Sequence, residues 1–164
     1  MRVMGIDPGM TLTGYGVVEE VKGVQRYIDS GYIDTQKYKT DTERLNAIFD
    51  NIYYFIEQYQ PEALILEKIF FNKNVTTAIR IGEARGVIML AASKHGIVVY
   101  EYTPLEIKQV VAGYGKASKE QVEKMVKLQL QLQNEFKYDD ESDALAVCLC
   151  YLAQKNWKKT IEGR

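Results

Sequence analysis

The sequence predicts an α/β fold, a mixed five-stranded sheet with helices on both faces. Three observations carry that expectation. Two β-rich runs meet at Lys22-Gly23, a tight hairpin turn, beside a first short strand. Two brief apolar runs, "EALILEK" at 62–68 and "GIVVYEY" at 96–102, have the length of buried strands. Helical patterns separate and follow those runs, so an antiparallel start passes into alternating strands and helices.

Each element has its own signal. Residues 2–7, "RVMGID", form the first strand, and 14–21 and 24–33 form the hairpin. From 41 to 59, Leu45, Ile48, Phe49, Ile52, Ile56 and Tyr59 recur at helical spacing, and Pro61 ends that helix. A long helical pattern occupies 75–94. Pro104 opens a helix to about residue 112, "GYG" at 113–115 breaks it, and Ser118 N-caps a helix carrying Val122, Met125, Val126 and Leu130. The last helix spans 139–155. No repeat or linker divides the chain, so one domain is expected over residues 1–160. The terminal Ile161–Arg164, "IEGR", matches a protease recognition sequence used in recombinant chains, as a remnant or by native coincidence, and is left outside that domain.

Composition excludes several classes. No run of 18 apolar residues exists, so no transmembrane helix or membrane partner is expected, and the acidic, short apolar start does not read as a signal peptide. A cytoplasmic location follows. Cys148 and Cys150, two apart on a helical pattern, face different ways and read as core thiols. The single histidine, His95 in "SKHGI", reads as a helix C-terminal residue. The net charge of −1 is uneven: residues 68–127 hold ten Lys or Arg against five Glu, a net of +5, leaving −6 for the rest. That split suits a basic face beside an acidic cluster, or simply two solvated faces.

The acids pose the functional question. Asp7 ends the first strand in "GIDPG", and Glu67 ends the run "ALIL". Ligand sites in such sheets lie beyond the carboxyl ends of the strands, where both residues fall. Asp140 and Asp143, three apart at the start of the last helix, share one of its faces. Four converging carboxylates repel unless a cation neutralises them, and an all-oxygen set suits Mg²⁺ or Mn²⁺. Two such ions about 4 Å apart would clamp a phosphodiester in an in-line displacement. Against this stands a structural reading, in which "DPG" is turn chemistry and first-turn acids cap a helix, as expected for Asp139 and Glu141. Spacing alone does not separate the two.

The segments "GIDPGMTLTGYGVV", "LEKIFFNKNVTTAIRIGEARGV", "IKQVVAGYGKASKEQV" and "DESDALAVCL" resemble the RuvC family of Holliday junction resolvases, in order and spacing, from residue 3 to about 152. The resemblance implies a ribonuclease-H-like nuclease domain that cuts two opposed strands of a four-way DNA junction, using two Mg²⁺ per site with Mn²⁺ as a substitute. It implies that Asp7, Glu67, Asp140 and Asp143 are the catalytic, metal-binding acids; the family varies at the position of Asp140. It further implies 5′-phosphate, religatable nicks, a homodimer, and work beside a branch-migration complex of a junction-binding protein and a hexameric ATPase. Phe70 matches the family's base-stacking aromatic, and Lys108 and Lys119 match family lysines implicated in DNA contact or catalysis. Lys73, Asn74, Arg80, Arg85 and Lys116 are expected DNA-backbone contacts by charge, polarity and position. Gly5 and Gly9 are expected to let backbone and phosphate approach the metal closely.

Three rivals remain. Same-fold nucleases with a "GIDPG"-like start process ribosomal RNA precursors. A junction-binding scaffold without catalysis would have lost acids, and none is missing. The Asp7-Pro-Gly-Met-Thr11 pattern also resembles the first phosphate loop of actin-like ATPases, which need two such domains.

Overall fold

A computed structural model describes residues 1–68 and 75–162, with side chains as far as Asn156. Its elements are β1 (Arg2–Asp7), β2 (Leu12–Val21), β3 (Val24–Asp34), α1 (Asp41–Tyr59), β4 (Ala63–Glu67), α2 (Val75–Lys94), β5 (Val98–Tyr102), α3 (Pro104–Ala112), α4 (Lys119–Leu130) and α5 (Asp139–Glu162). The strands form one sheet in the order β3-β2-β1-β4-β5. β1, β2 and β3 pair antiparallel, whereas β4 and β5 join parallel to β1.

Local chemistry sets the boundaries. Lys22 and Gly23 both take positive φ, the geometry that matches a two-residue hairpin to the strand twist. α1, α3 and α4 each begin with a capping box, from Thr40 with Glu43, Thr103 with Glu106 and Ser118 with Gln121. β5 begins two residues later than the sequence suggests. Gly96, at φ 67°, closes α2 instead, as the Ile97 N–H returns to the Ala92 carbonyl at 3.0 Å. His95 is the expected C-terminal residue, its Nδ1–H donating to the Ala91 carbonyl at 2.9 Å. α5 continues past the expected residue 155 to Glu162.

Strand alternation divides the core into two layers. Met4, Ile6, Leu64 and Leu66 pack on α1 and α2 through Ile48, Ile52, Ile56, Ala84 and Ile88. Val3, Val18, Ala63 and Ile65 face α3, α4 and α5 through Ile107, Val122, Val126, Leu145 and Leu149. Cys148 and Cys150 are buried, unpaired thiols in that second layer, as expected. Among the described residues, no helix is long and apolar enough to cross a membrane.

Candidate metal centre

The alternation that buries Val3 toward α5 puts Asp7 on the same face, and Ala63 and Ile65 do the same for Glu67. Pairing then aligns a row across the sheet. Tyr32 of β3 pairs with Gly14, Gly14 with Asp7, and the β1–β4 pairing carries the row on to Glu67, which pairs with Tyr102. α5 supplies the other acids from above.

How α5 comes so close is a matter of three glycines. A Cβ on Gly5 would stand 2.0 Å from the Ala144 carbonyl oxygen, and one on Gly14 would stand 2.1 Å from that of Asp140. At Gly16 a Cβ would meet Leu145 at 2.7 Å. The three form a trough in β1 and β2 that seats the helix and lowers Asp140 and Asp143 toward Asp7. The expected role of Gly5, room for phosphate, is therefore corrected: its space is filled by α5. Gly9 likewise serves a tight turn, since a Cβ there would lie 2.0 Å from the Leu12 carbonyl oxygen.

The loop after Asp7 is pinned by two hydroxyls that sequence reading missed. Thr13 donates to the Gly9 carbonyl at 2.7 Å, and Thr35 to the Met10 carbonyl at 2.5 Å. Both threonines are buried. The advance signal for Thr13 was its place in "MTLTG", just after Asp7, and Thr35 gave none.

Asp7, Glu67, Lys108, Lys119 and Asp143 line one open cleft of about 330 Å³, floored by Ile107, Val122 and Ala146. Burial, then the charges of Asp143, Asp140 and Glu67, hold the Asp7 carboxyl well above the usual range. Burial and Asp143 raise Glu67, against Lys119 and Lys108. Burial also raises Asp143, although Lys119 Nζ donates to its Oδ2 at 3.2 Å. Asp139 and Glu141 fit the expected structural reading. Glu141 Oε1 accepts from the Lys137 and Tyr138 N–H groups at 3.1 and 3.3 Å and so caps α5, while Asp139 is exposed in the first turn.

Lys119 is oddly placed for a helix. It is the first residue of α4, where a cation opposes the macrodipole. Burial works against its charge, yet Asp143, with Asp139 and Asp7 beyond, outweighs burial and raises its pKa. Exchanging Lys119 for Met should accordingly leave the melting temperature nearly unchanged, because the pair is solvent-exposed on the lysine side. Cleavage at saturating substrate should fall roughly 10²-fold if the ammonium steadies charge on the reacting phosphate; single-turnover rates measure this.

The other expected contacts divide. Phe70, Lys73 and Asn74 lie outside the described residues. Lys116 is exposed in the turn before α4, and Lys108 faces the cleft. Arg85 is corrected by its surroundings. It is buried, its Nη1 donates to the Glu67 carbonyl at 2.5 Å, and its Nη2 is ion-paired with Glu101. A guanidinium so committed fixes the end of β4, and with it Glu67, rather than meeting a phosphate. Arg80 pairs with Asp41 at 2.6 Å, joining α2 to the start of α1.

The donor set fits a hard divalent cation. It offers carboxylate oxygen alone, with His95 and both cysteines in other parts of the fold. Mutual repulsion and burial already disfavour the charged carboxylates, a condition that a cation relieves. Among the described residues no three His, Cys, Asp or Glu side chains are drawn in to a closed metal shell.

Comparison with known proteins agrees with this architecture. The family model described as crossover junction endodeoxyribonuclease RuvC matches residues 3–151. The crossover junction endodeoxyribonuclease RuvC of Roseiflexus sp. (strain RS-1) is 47% identical, over 99% of this chain and 98% of that protein. The one from Moorella thermoacetica is 46% identical over 100% of both. A Thermus thermophilus RuvC structure in complex with Holliday junction substrate superposes with a TM-score of 0.90 at 33% identity, covering 96% of each chain. A yeast mitochondrial Holliday junction resolvase, Ydc2, shares the fold at a TM-score of 0.71 and 13% identity. The chain belongs to the RuvC family of crossover junction endodeoxyribonucleases.

Proposed function

We propose that this protein is a structure-selective endonuclease that resolves four-way DNA junctions by nicking two opposed strands. The observation that carries the reading is the row Gly14–Asp7–Glu67 beneath α5, which gathers Asp7, Glu67 and Asp143 on one cleft with Lys108 and Lys119 at its wall. The family relatives support the substrate.

Asp7, with Asp140 and Asp143 from α5, and Asp7 with Glu67, are the residues that would hold Mg²⁺ or Mn²⁺. Bound divalent cations supply an activated water and a Lewis acid for the departing 3′-oxygen, which leaves a 5′-phosphate. The chain's own part is placement. Arg85 fixes the Glu67 main chain, the glycine trough fixes α5, and Thr13 and Thr35 hold the loop after Asp7. Lys119 and Lys108 place ammonium groups where phosphate oxygens arrive. Symmetric cutting requires two sites, so the active species is a homodimer, working with a branch-migration complex of junction-binding protein and hexameric ATPase.

The acids make a stability prediction. The folded-state pKa values of Asp7, Glu67 and Asp143 are raised, so the folded protein binds protons more tightly than the unfolded chain above the ordinary carboxylate range. This cluster's contribution to stability in chelator should therefore be fully present below the ordinary carboxylate range and be lost as pH rises from there through the raised values. Adding Mg²⁺ or Mn²⁺ at neutral pH should recover it, as any ligand of the native state does. Melting curves across pH, with EDTA or with metal, measure both; a flat profile that metal does not move would contradict the assignment.

Substrate choice is tested by offering equal amounts of a synthetic four-way DNA junction, a linear duplex of the same sequence, and a folded RNA. Cleavage confined to the junction is expected. Preference for the RNA would favour a ribosomal precursor nuclease, and tight junction binding with no cuts would favour a scaffold.

A further inference from the structure

The row of paired residues does not end at Asp7. On the side away from Glu67 and Lys108 it continues through Gly14 to Tyr32. Two strand spacings put the Tyr32 backbone about 10 Å from that of Asp7, roughly three stacked nucleotides. Gly14 carries no side chain and lies under the Asp140 backbone, so Tyr32 is the next side chain in the row on the α5 face.

Lys137 and Tyr138 descend onto Tyr32 from the turn before α5. The two tyrosine rings meet edge to face at 4.6 Å. The Lys137 ammonium hydrogen-bonds the Tyr32 hydroxyl and lies 4.8 Å from the Tyr32 ring centre and 5.4 Å from that of Tyr138. Lys137 is nevertheless exposed. Seating on two rings limits its rotamers in advance of any ligand, which reduces the entropy lost on binding.

Its position repeats that of Lys119. Both lysines stand at the N-terminal end of a helix, where a cation opposes the macrodipole, and both flank the acids. The nearby loop adds Lys37 and Lys39, both exposed. Among neighbouring acids, Asp41 is paired with Arg44 and Arg80, Glu43 caps α1 and Glu141 caps α5, which leaves Asp34 and the exposed Asp139 as local counter-charges.

We propose that Lys137, held on Tyr32 and Tyr138, contacts a backbone phosphate of the DNA strand on the β3 side of the cleft, away from Lys108. The strand would then be held on both sides of Asp7. This contact rests on the junction-nuclease reading above.

The test is junction binding by the full chain, in chelator, between 50 and 200 mM salt, for the wild type, Lys137→Met and Lys137→Arg, with a melting curve of each. The contact predicts that Lys137→Met makes the log–log salt slope shallower by about 0.9, the signature of one lost phosphate contact. Affinity at low salt should fall several-fold and Lys137→Arg should restore the slope. An unchanged slope overturns the proposal, and so does a lowered melting temperature with an unchanged slope, which marks a clamp between α5 and β3 only. Failure of the wild type to bind the junction would overturn the functional reading first, and this contact with it.

Discussion

Asp7→Asn should bind a four-way junction about as tightly as the wild type and cut it ~10²–10⁴-fold more slowly, a loss of roughly 3–5 kcal/mol of transition-state stabilisation. The reason is position. Asp7 is the one acid that the row and α5 share, with Glu67 beside it on the sheet and Asp140 and Asp143 above. Phosphate neutralisation is assigned to the lysines of the cleft, Lys108 and Lys119, which the substitution leaves in place, so binding is expected to be spared. The same substitution should stabilise the metal-free protein at neutral pH. It removes a half-buried carboxylate that burial and three neighbouring acids already disfavour, and each kcal/mol recovered raises the melting temperature by about 2–4 °C in a domain of this size. Mg²⁺ should then stabilise the variant less than the wild type. A variant that is both more stable and inactive is the pattern of a functional acid; one that is less stable and inactive would point to a structural residue.

Gly5→Ala should be among the most damaging single methyl additions to the described residues. Its Cβ would stand 2.0 Å from the Ala144 carbonyl oxygen, 2.6 Å from Val147 Cγ2 and 2.8 Å from Cys148 Sγ, so backbone has to move. Overpacking of this kind costs about 1–3 kcal/mol, which lowers the melting temperature by several degrees. The displacement falls on the helix that carries Asp140 and Asp143. A shift of about 1 Å at a reacting centre can cost 10²-fold in rate, so cleavage should fall further than the loss of folded protein explains. Gly82→Ala is the matched control. Nothing lies within 4 Å of a Cβ there, and alanine is the better helix former by about 1 kcal/mol. Thermal melts and single-turnover cleavage of both variants check the contrast.

Much of this was legible from local chemistry. Lys22-Gly23, Pro104, the Ser118 cap and the apolar periods of α1 and α4 are signals within a few residues of one another, and the elements formed where they point. Asp7 and Glu67 could be placed at strand ends for the same reason. Roles that depend on what lies across the fold were harder. Arg85 reads as a surface charge by count alone, yet it sits with Ala84, Ile88 and Ala92 on the buried stripe of α2, and that spacing was the missed clue. Gly5 beside Asp7 suggested access for a phosphate, because nothing local says that a helix from residue 139 onward fills the space. The start of β5 was misplaced because Gly96 serves the end of α2, a left-handed residue that apolar patterning cannot see.

The most direct measurement of the central claim is the mapping of cuts on a four-way junction by the wild-type protein, in Mg²⁺ and in EDTA. Paired nicks at symmetric positions on two opposed strands, sealed by ligase and absent in EDTA, are the predicted result. Equal cutting in EDTA, or nicks that ligase cannot seal, would contradict a metal-dependent resolvase built on Asp7, Glu67, Asp140 and Asp143.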